Sequence, residues 1–137
     1  MPTLRERLIW WLGLNVGLAL TPLLFNAFSG SGVGWETAIG HGELILVAVA
    51  IAGLSLASTA IASPANSALR ELRALLAIAG IIFVLSAGLL YADNFRALAD
   101  GGNPSVEAKS YFLFGLAVVL GTSTVYLGHK VEEERSR

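Results

Sequence analysis

Apolar residues in this chain do not alternate with polar ones. They gather into four uncharged blocks, at 8–28, 44–62, 74–92 and 111–128. Each block is 18 to 21 residues long. A helix rising 1.5 Å per residue needs roughly 20 to cross about 30 Å of hydrocarbon. None of the blocks carries the single apolar stripe of a helix on a soluble core. The pattern predicts an all-α integral membrane protein with four transmembrane helices and short loops. Residues 1–137 then form one domain, with helices over about 8–28, 43–62, 68–92 and 105–130.

Turn and cap residues set the ends. Pro64 closes the second helix, and Ser67 is in place to cap the next. Asp100-Gly101-Gly102-Asn103-Pro104 is a turn, after which Ser105 caps the fourth helix and Glu107 sits in its first turn. The start of the chain also has the makings of a secretory signal, with Ala27-Phe28-Ser29 as a cleavage site. The length of the first block, interrupted by Asn15 and Pro22, argues for a retained helix instead.

Charge supplies the orientation. Seven basic residues (Arg5, Arg7, Arg70, Arg73, Lys130, Arg135 and Arg137) fall on one side of the four-span topology, and only Arg96 and Lys109 on the other. The excess of basic residues on cytoplasmic loops places both termini in the cytoplasm, for a protein of the inner (plasma) membrane. Trp10, Trp11 and Tyr126 mark the inner interface, and Phe28, Tyr91, Tyr111 and Phe112 the outer one. Overall composition agrees: 55% of residues are hydrophobic and 14% charged, where soluble domains carry about 25% charge.

Small and polar residues show which helix faces touch protein, because close backbone approach and hydrogen bonds hold helices together in lipid. In the first helix Gly13 and Gly17 form one such face; Asn15, Ala19, Pro22 and Asn26 form another nearly opposite. Two non-lipid faces suit an oligomer. In the second helix His41, Ala48, Ser55 and Ala62 recur every seven residues, with Ala52 and Thr59 between them, as in a tight left-handed crossing. The hydroxyls of Ser55 and Thr59 allow two readings, a polar passage or close packing with each hydroxyl bonded to its own helix. The third helix is bulky and predicted to be the most lipid-exposed. In the fourth, Gly115, Thr122 and His129 fall seven apart, marking Gly115 and Thr122 as packing positions, with Ser123 and Thr124 alongside.

Candidate chemistry is sparse. Glu43 is the acid nearest the hydrocarbon, where a carboxylate needs water, a partner or a helix N-terminus. Asn26, His41, Glu43 and Asp93 would share the outer end. His41 and Glu43 are two residues apart and do not converge on one helix face, so no metal site is expected. The chain lacks cysteine, a nucleophile elbow, an HExxH motif and a phosphate-loop lysine. No enzyme activity, cofactor or nucleic-acid partner is expected. Two functions fit: a homo-oligomeric channel or pore, cation-conducting or membrane-perturbing, lined by Asn15, Asn26, His41, Glu43, Ser55, Thr59 and Asp93; or a non-catalytic accessory or assembly subunit gripping a membrane or cytoplasmic partner protein. A small dimeric secondary transporter is the third alternative.

Overall fold

The structure is a computed structural model and describes residues 2–28, 42–97 and 105–137. The described residues are predominantly helical. α1 (Leu4–Trp11), a π turn (Leu12–Val16) and α2 (Gly17–Phe28) follow one another without a break. α3 covers Glu43–Ile61, α4 Ser67–Ala97 and α5 Val106–Arg135. The last three are long and apolar enough to cross a membrane.

Local chemistry explains ends that the apolar blocks alone misjudge. α1 begins at Leu4 because Thr3 and Glu6 form a capping box: the Glu6 N–H donates to Thr3 Oγ1 (3.3 Å) and the Thr3 N–H to Glu6 Oε2 (2.7 Å). α3 stops at Ile61 as the backbone turns extended at Ala62 ahead of Pro64. Asn66, not Ser67, caps α4. Its Oδ1 accepts from the Ala68 N–H at 2.8 Å, and Ser67 is already helical. Ser105 occupies the N-cap position of α5, but its side chain makes no capping bond. α4 and α5, at 31 and 30 residues, are each about 45 Å long. That exceeds the roughly 30 Å thickness of a bilayer's hydrocarbon.

α3 is the centre of the bundle. It packs on both α4 and α5, which also touch each other; α1 leans on α5 and α2 on α3. The core joins Ile45, Ala48, Ile51 and Ala52 of α3 to Phe83 and Ala87 of α4 and Ala117 of α5. α4 contributes least. Its apolar stretch is 17% buried against 44% for α3 and 22% for α5, which matches the bulky, outward-facing third block. Leu75, Ile78, Ile82, Leu85 and Leu89 are all exposed.

The π turn changes the phase of the first helical run. A turn closed five residues back inserts one extra position, so the facing stripe steps forward. Trp11, Asn15, Val16, Ala19 and Leu20 are half-buried and Leu23 fully buried. The inward face therefore passes through Leu23.

Candidate functional site

The small-residue seam of the second block forms the interior of α3. Ala48 and Ala52 are fully buried, Thr59 is 1% exposed and Ser55 4%. Both hydroxyls bond their own helix. Ser55 Oγ donates to the Ile51 carbonyl at 2.8 Å, and Thr59 Oγ1 to the Ser55 carbonyl at 2.8 Å. Thr124 of α5 does the same to Leu120 at 3.0 Å, and the Thr59 and Thr124 hydroxyls lie 3.3 Å apart. Such back-bonding satisfies each group without water. Within the subunit Ser55 and Thr59 are packed.

On α5 the buried ladder is Ser110, Ala117, Thr124 and Val131, with Gly121 on its flank. Gly115 lies two residues off this face: it is exposed, and a β-carbon there would meet nothing within 4 Å. Thr122 is half-buried and donates to the Val119 carbonyl at 2.9 Å. Glycine and threonine at sevenfold spacing occur on both faces of this helix, so spacing alone could not choose. The close contact belongs to Gly121, whose missing side chain makes room for the Trp11 ring.

Gly13 and Gly17 face outward. Both are exposed; a β-carbon on Gly13 meets nothing within 4 Å, and one on Gly17 only the Leu12 carbonyl at 3.9 Å. Thr21, also exposed, continues the row and donates to the Gly17 carbonyl at 3.0 Å. Asn15 is half-buried on the opposite, bundle-facing side.

At the acidic end Glu43 is the first residue of α3, half-buried, with its carboxylate in the first turn. Gly42 before it has φ 84°, a left-handed conformation that glycine adopts freely. A β-carbon at Gly42 would also sit 3.0 Å from Asn94 Nδ2 and 3.3 Å from the Tyr91 ring. Asp93 is exposed, so it does not close a cluster with Glu43 from inside the bundle. Its neighbour Asn94 is the buried group, 2% exposed, with neither amide atom hydrogen-bonded. The signal for Asn94 was helix phase: it continues the Gly80, Phe83, Ala87 stripe of α4. His41 and the Asn26 side chain lie outside the described residues.

The basic end is tied by polar contacts. Arg73 reaches from α4 to the end of α3, donating Nε to the Thr59 carbonyl (3.1 Å) and NH2 to the Ala60 carbonyl (2.8 Å). Arg7 of α1 and Glu132 of α5 form a two-pronged ion pair, one bond being NH1 to Oε1 at 2.9 Å. The guanidinium bond holds the Glu132 carboxyl below the usual carboxylate range. Lys130 Nζ meets Glu133 at 2.7 Å and lowers that carboxyl in the same way. His129 Nε2 stands 3.5 Å from Glu133. Glu134 accepts from the Ala65 N–H at 3.2 Å, fastening the α3–α4 connection to α5. The start of α1 and the end of α5 thus lie at one end of the bundle, together with that connection.

Comparison with family models, with curated proteins and with solved structures gives no match for this chain.

Proposed function

We propose that this chain is a non-catalytic, four-span subunit of the inner (plasma) membrane, with both termini in the cytoplasm. It self-associates through the outer face of α1 and α2 to form, or to scaffold, a larger membrane assembly. The carrying observation is the unfilled row of Gly13, Gly17 and Thr21 on a helix whose other face is already packed. In lipid, small residues let two helix backbones meet, and such rows are where neighbours dock. On α3 the Ala48, Ala52, Ser55 and Thr59 seam is already packed inside the subunit. The fourth span is the run from Leu4 through Phe28, and the basic excess at the end holding Arg7, Arg73 and Lys130 supports a cytoplasmic assignment for that end.

Native mass spectrometry in detergent tests the association. Wild type is expected as a discrete oligomer, and Gly17→Leu as a folded monomer. Ala52→Leu acts differently: it overpacks the subunit core and lowers stability instead of splitting an oligomer. A monomeric wild type overturns the reading. Reporter fusions at Arg137 and in the 100–104 turn test the topology, and an external signal from Arg137 overturns it.

A cation pore is the second reading, favoured by the half-buried Glu43 at the acidic end. Since the α3 hydroxyls are closed onto their own helix, such a path would run between subunits.

A further inference from the structure

The two ends of the α3–α4 contact are held differently. At the basic end, polar links cross between elements. Arg73 binds the Thr59 and Ala60 carbonyls, Arg7 binds Glu132, and Glu134 binds the Ala65 N–H. At the acidic end, Asn94 and Tyr91 of α4 lie against Gly42 at the start of α3. Asn94 is 2% exposed, and neither of its amide atoms has a hydrogen-bond partner. We propose that this end is a latch. The outer ends of α3 and α4 part there, pivoting about the fastened basic end, and the parted state hydrates the Asn94 amide.

Three features support this motion. The first is the chemistry of Asn94. A carboxamide brings two N–H donors and an acceptor oxygen, and burying it unpaired is unfavourable. The closed contact carries that penalty and the parted one does not. The second is the anchoring of α4. After Phe83 and Ala87, its next buried position is Asn94. Its outermost turns are thus held by an amide where an apolar side chain would grip. The apolar stretch of α4 is also the least buried of the three long helices, so α4 has least packing to lose by moving. The third is the backbone. Gly42 has φ 84° and brings no side chain to cap α3. Glycine adopts either sign of φ freely, so the chain swivels readily at this point. Parting also brings water to Glu43, the residue after the swivel.

The chain has no cysteine, so spin labels are placed in pairs without a background. Leu46→Cys with Ala92→Cys reports the acidic end, at exposed positions of α3 and α4. Ile61→Cys with Leu75→Cys reports the basic end, again at exposed positions. Labelled protein is diluted into unlabelled wild type in nanodiscs, so that double electron–electron resonance reads distances within one chain. The acidic-end pair is expected to give two distance populations and the basic-end pair one. Asn94→Leu keeps the branching of the side chain and removes its polar atoms. It should cut the longer population roughly tenfold, the scale of relieving one orphaned buried hydrogen-bonding group. Asn94→Asp keeps the shape and should enlarge that population, because a carboxylate loses more than an amide on leaving water. Either substitution decides alone if the other does not fold. A single acidic-end population in wild type overturns the proposal. So does a longer population that Asn94→Leu leaves unchanged, or one that Asn94→Asp fails to enlarge. Equal splitting at both ends overturns the pivot, since α4 would then be moving as a whole.

Discussion

The Trp11 indole lies where a β-carbon on Gly121 would have to be, so α1 and α5 meet through an absent side chain. Gly121 is buried, and the ring rests directly on its backbone. This contact and the Arg7–Glu132 pair at the same end attach α1 to α5.

Gly121→Ala should therefore destabilise the protein by about 1–3 kcal/mol, the usual cost of forcing extra volume into a packed site. In a Trp11→Ala background the same substitution should cost little, because the overlapping ring is gone. Thermal unfolding in detergent of the two single variants and the double variant measures the coupling. Additive losses would mean that Gly121 is needed for some other reason than the ring.

Much of the bundle was legible in the sequence, and the exceptions have definite causes. The four apolar blocks located the helical stretches, because length and absence of charge are properties of the chain itself. The sevenfold spacing put Ala48, Ala52, Ser55 and Thr59 on one phase of α3, and all four are buried, but spacing alone left the use of the Ser55 and Thr59 hydroxyls open. Leu23 was not legible, because a π turn at Leu12–Val16 shifts the phase in a way that no residue there announces. Gly121 was passed over for Gly115 because a glycine's role depends on what faces it, and Trp11 is more than a hundred residues away in the chain. Asp93 drew notice by its charge, while the buried neutral Asn94 beside it holds the interior position.

Arg73 caps a helix to which it does not belong. Helix C-termini leave carbonyls without partners, and here the guanidinium takes two of them. Arg73→Ala should cost about 1–2 kcal/mol, the low end of the roughly 1.5–3 kcal/mol for hydrogen bonds to a charged group, because the site is partly exposed. Arg73→Lys should recover only part of that, since one ammonium does not reproduce the two-carbonyl fork. Limited proteolysis at 62–66 gives a second reading, with faster cleavage expected in Arg73→Ala. Unchanged stability and cleavage would show that water caps the helix equally well.

The Arg7–Glu132 pair makes stability pH-dependent in one direction. Its carboxyl titrates below its unfolded value. The contribution is thus fully present above the unfolded glutamate pKa of about 4.3 and is lost as pH falls through the lower folded value. Glu132→Gln should lower the thermal midpoint at neutral pH, with the gap to wild type closing as acid protonates Glu132. Added salt should narrow the neutral-pH gap as well, because the pair is partly exposed. A gap that stays constant from neutral pH to well below the carboxylate range would assign the effect to packing of the side chain.

Glu43 separates the two functional readings. It opens α3, where the partial positive charge of the helix N-terminus favours a carboxylate. In an assembly subunit the carboxylate is a helix-start group and lines no path. Glu43→Gln should then cost a few tenths to about 1 kcal/mol, with the oligomer unchanged and no ion flux in liposomes from wild type or variant. In a pore between subunits, the same carboxylate raises the local cation concentration at the acidic mouth. Wild-type liposomes would then pass cations, Glu43→Gln would pass fewer, and Glu43→Lys would pass fewest, because the new charge repels the permeant ion. Helix-dipole loss alone predicts a fall in stability from Glu to Gln to Lys without any such order in flux. Since the Ser55 and Thr59 hydroxyls are already bonded within α3, Ser55→Ala and Thr59→Val should leave flux unaltered in either case. A drop in flux from those two substitutions would return the conducting path to the interior of the subunit, against the packing described above.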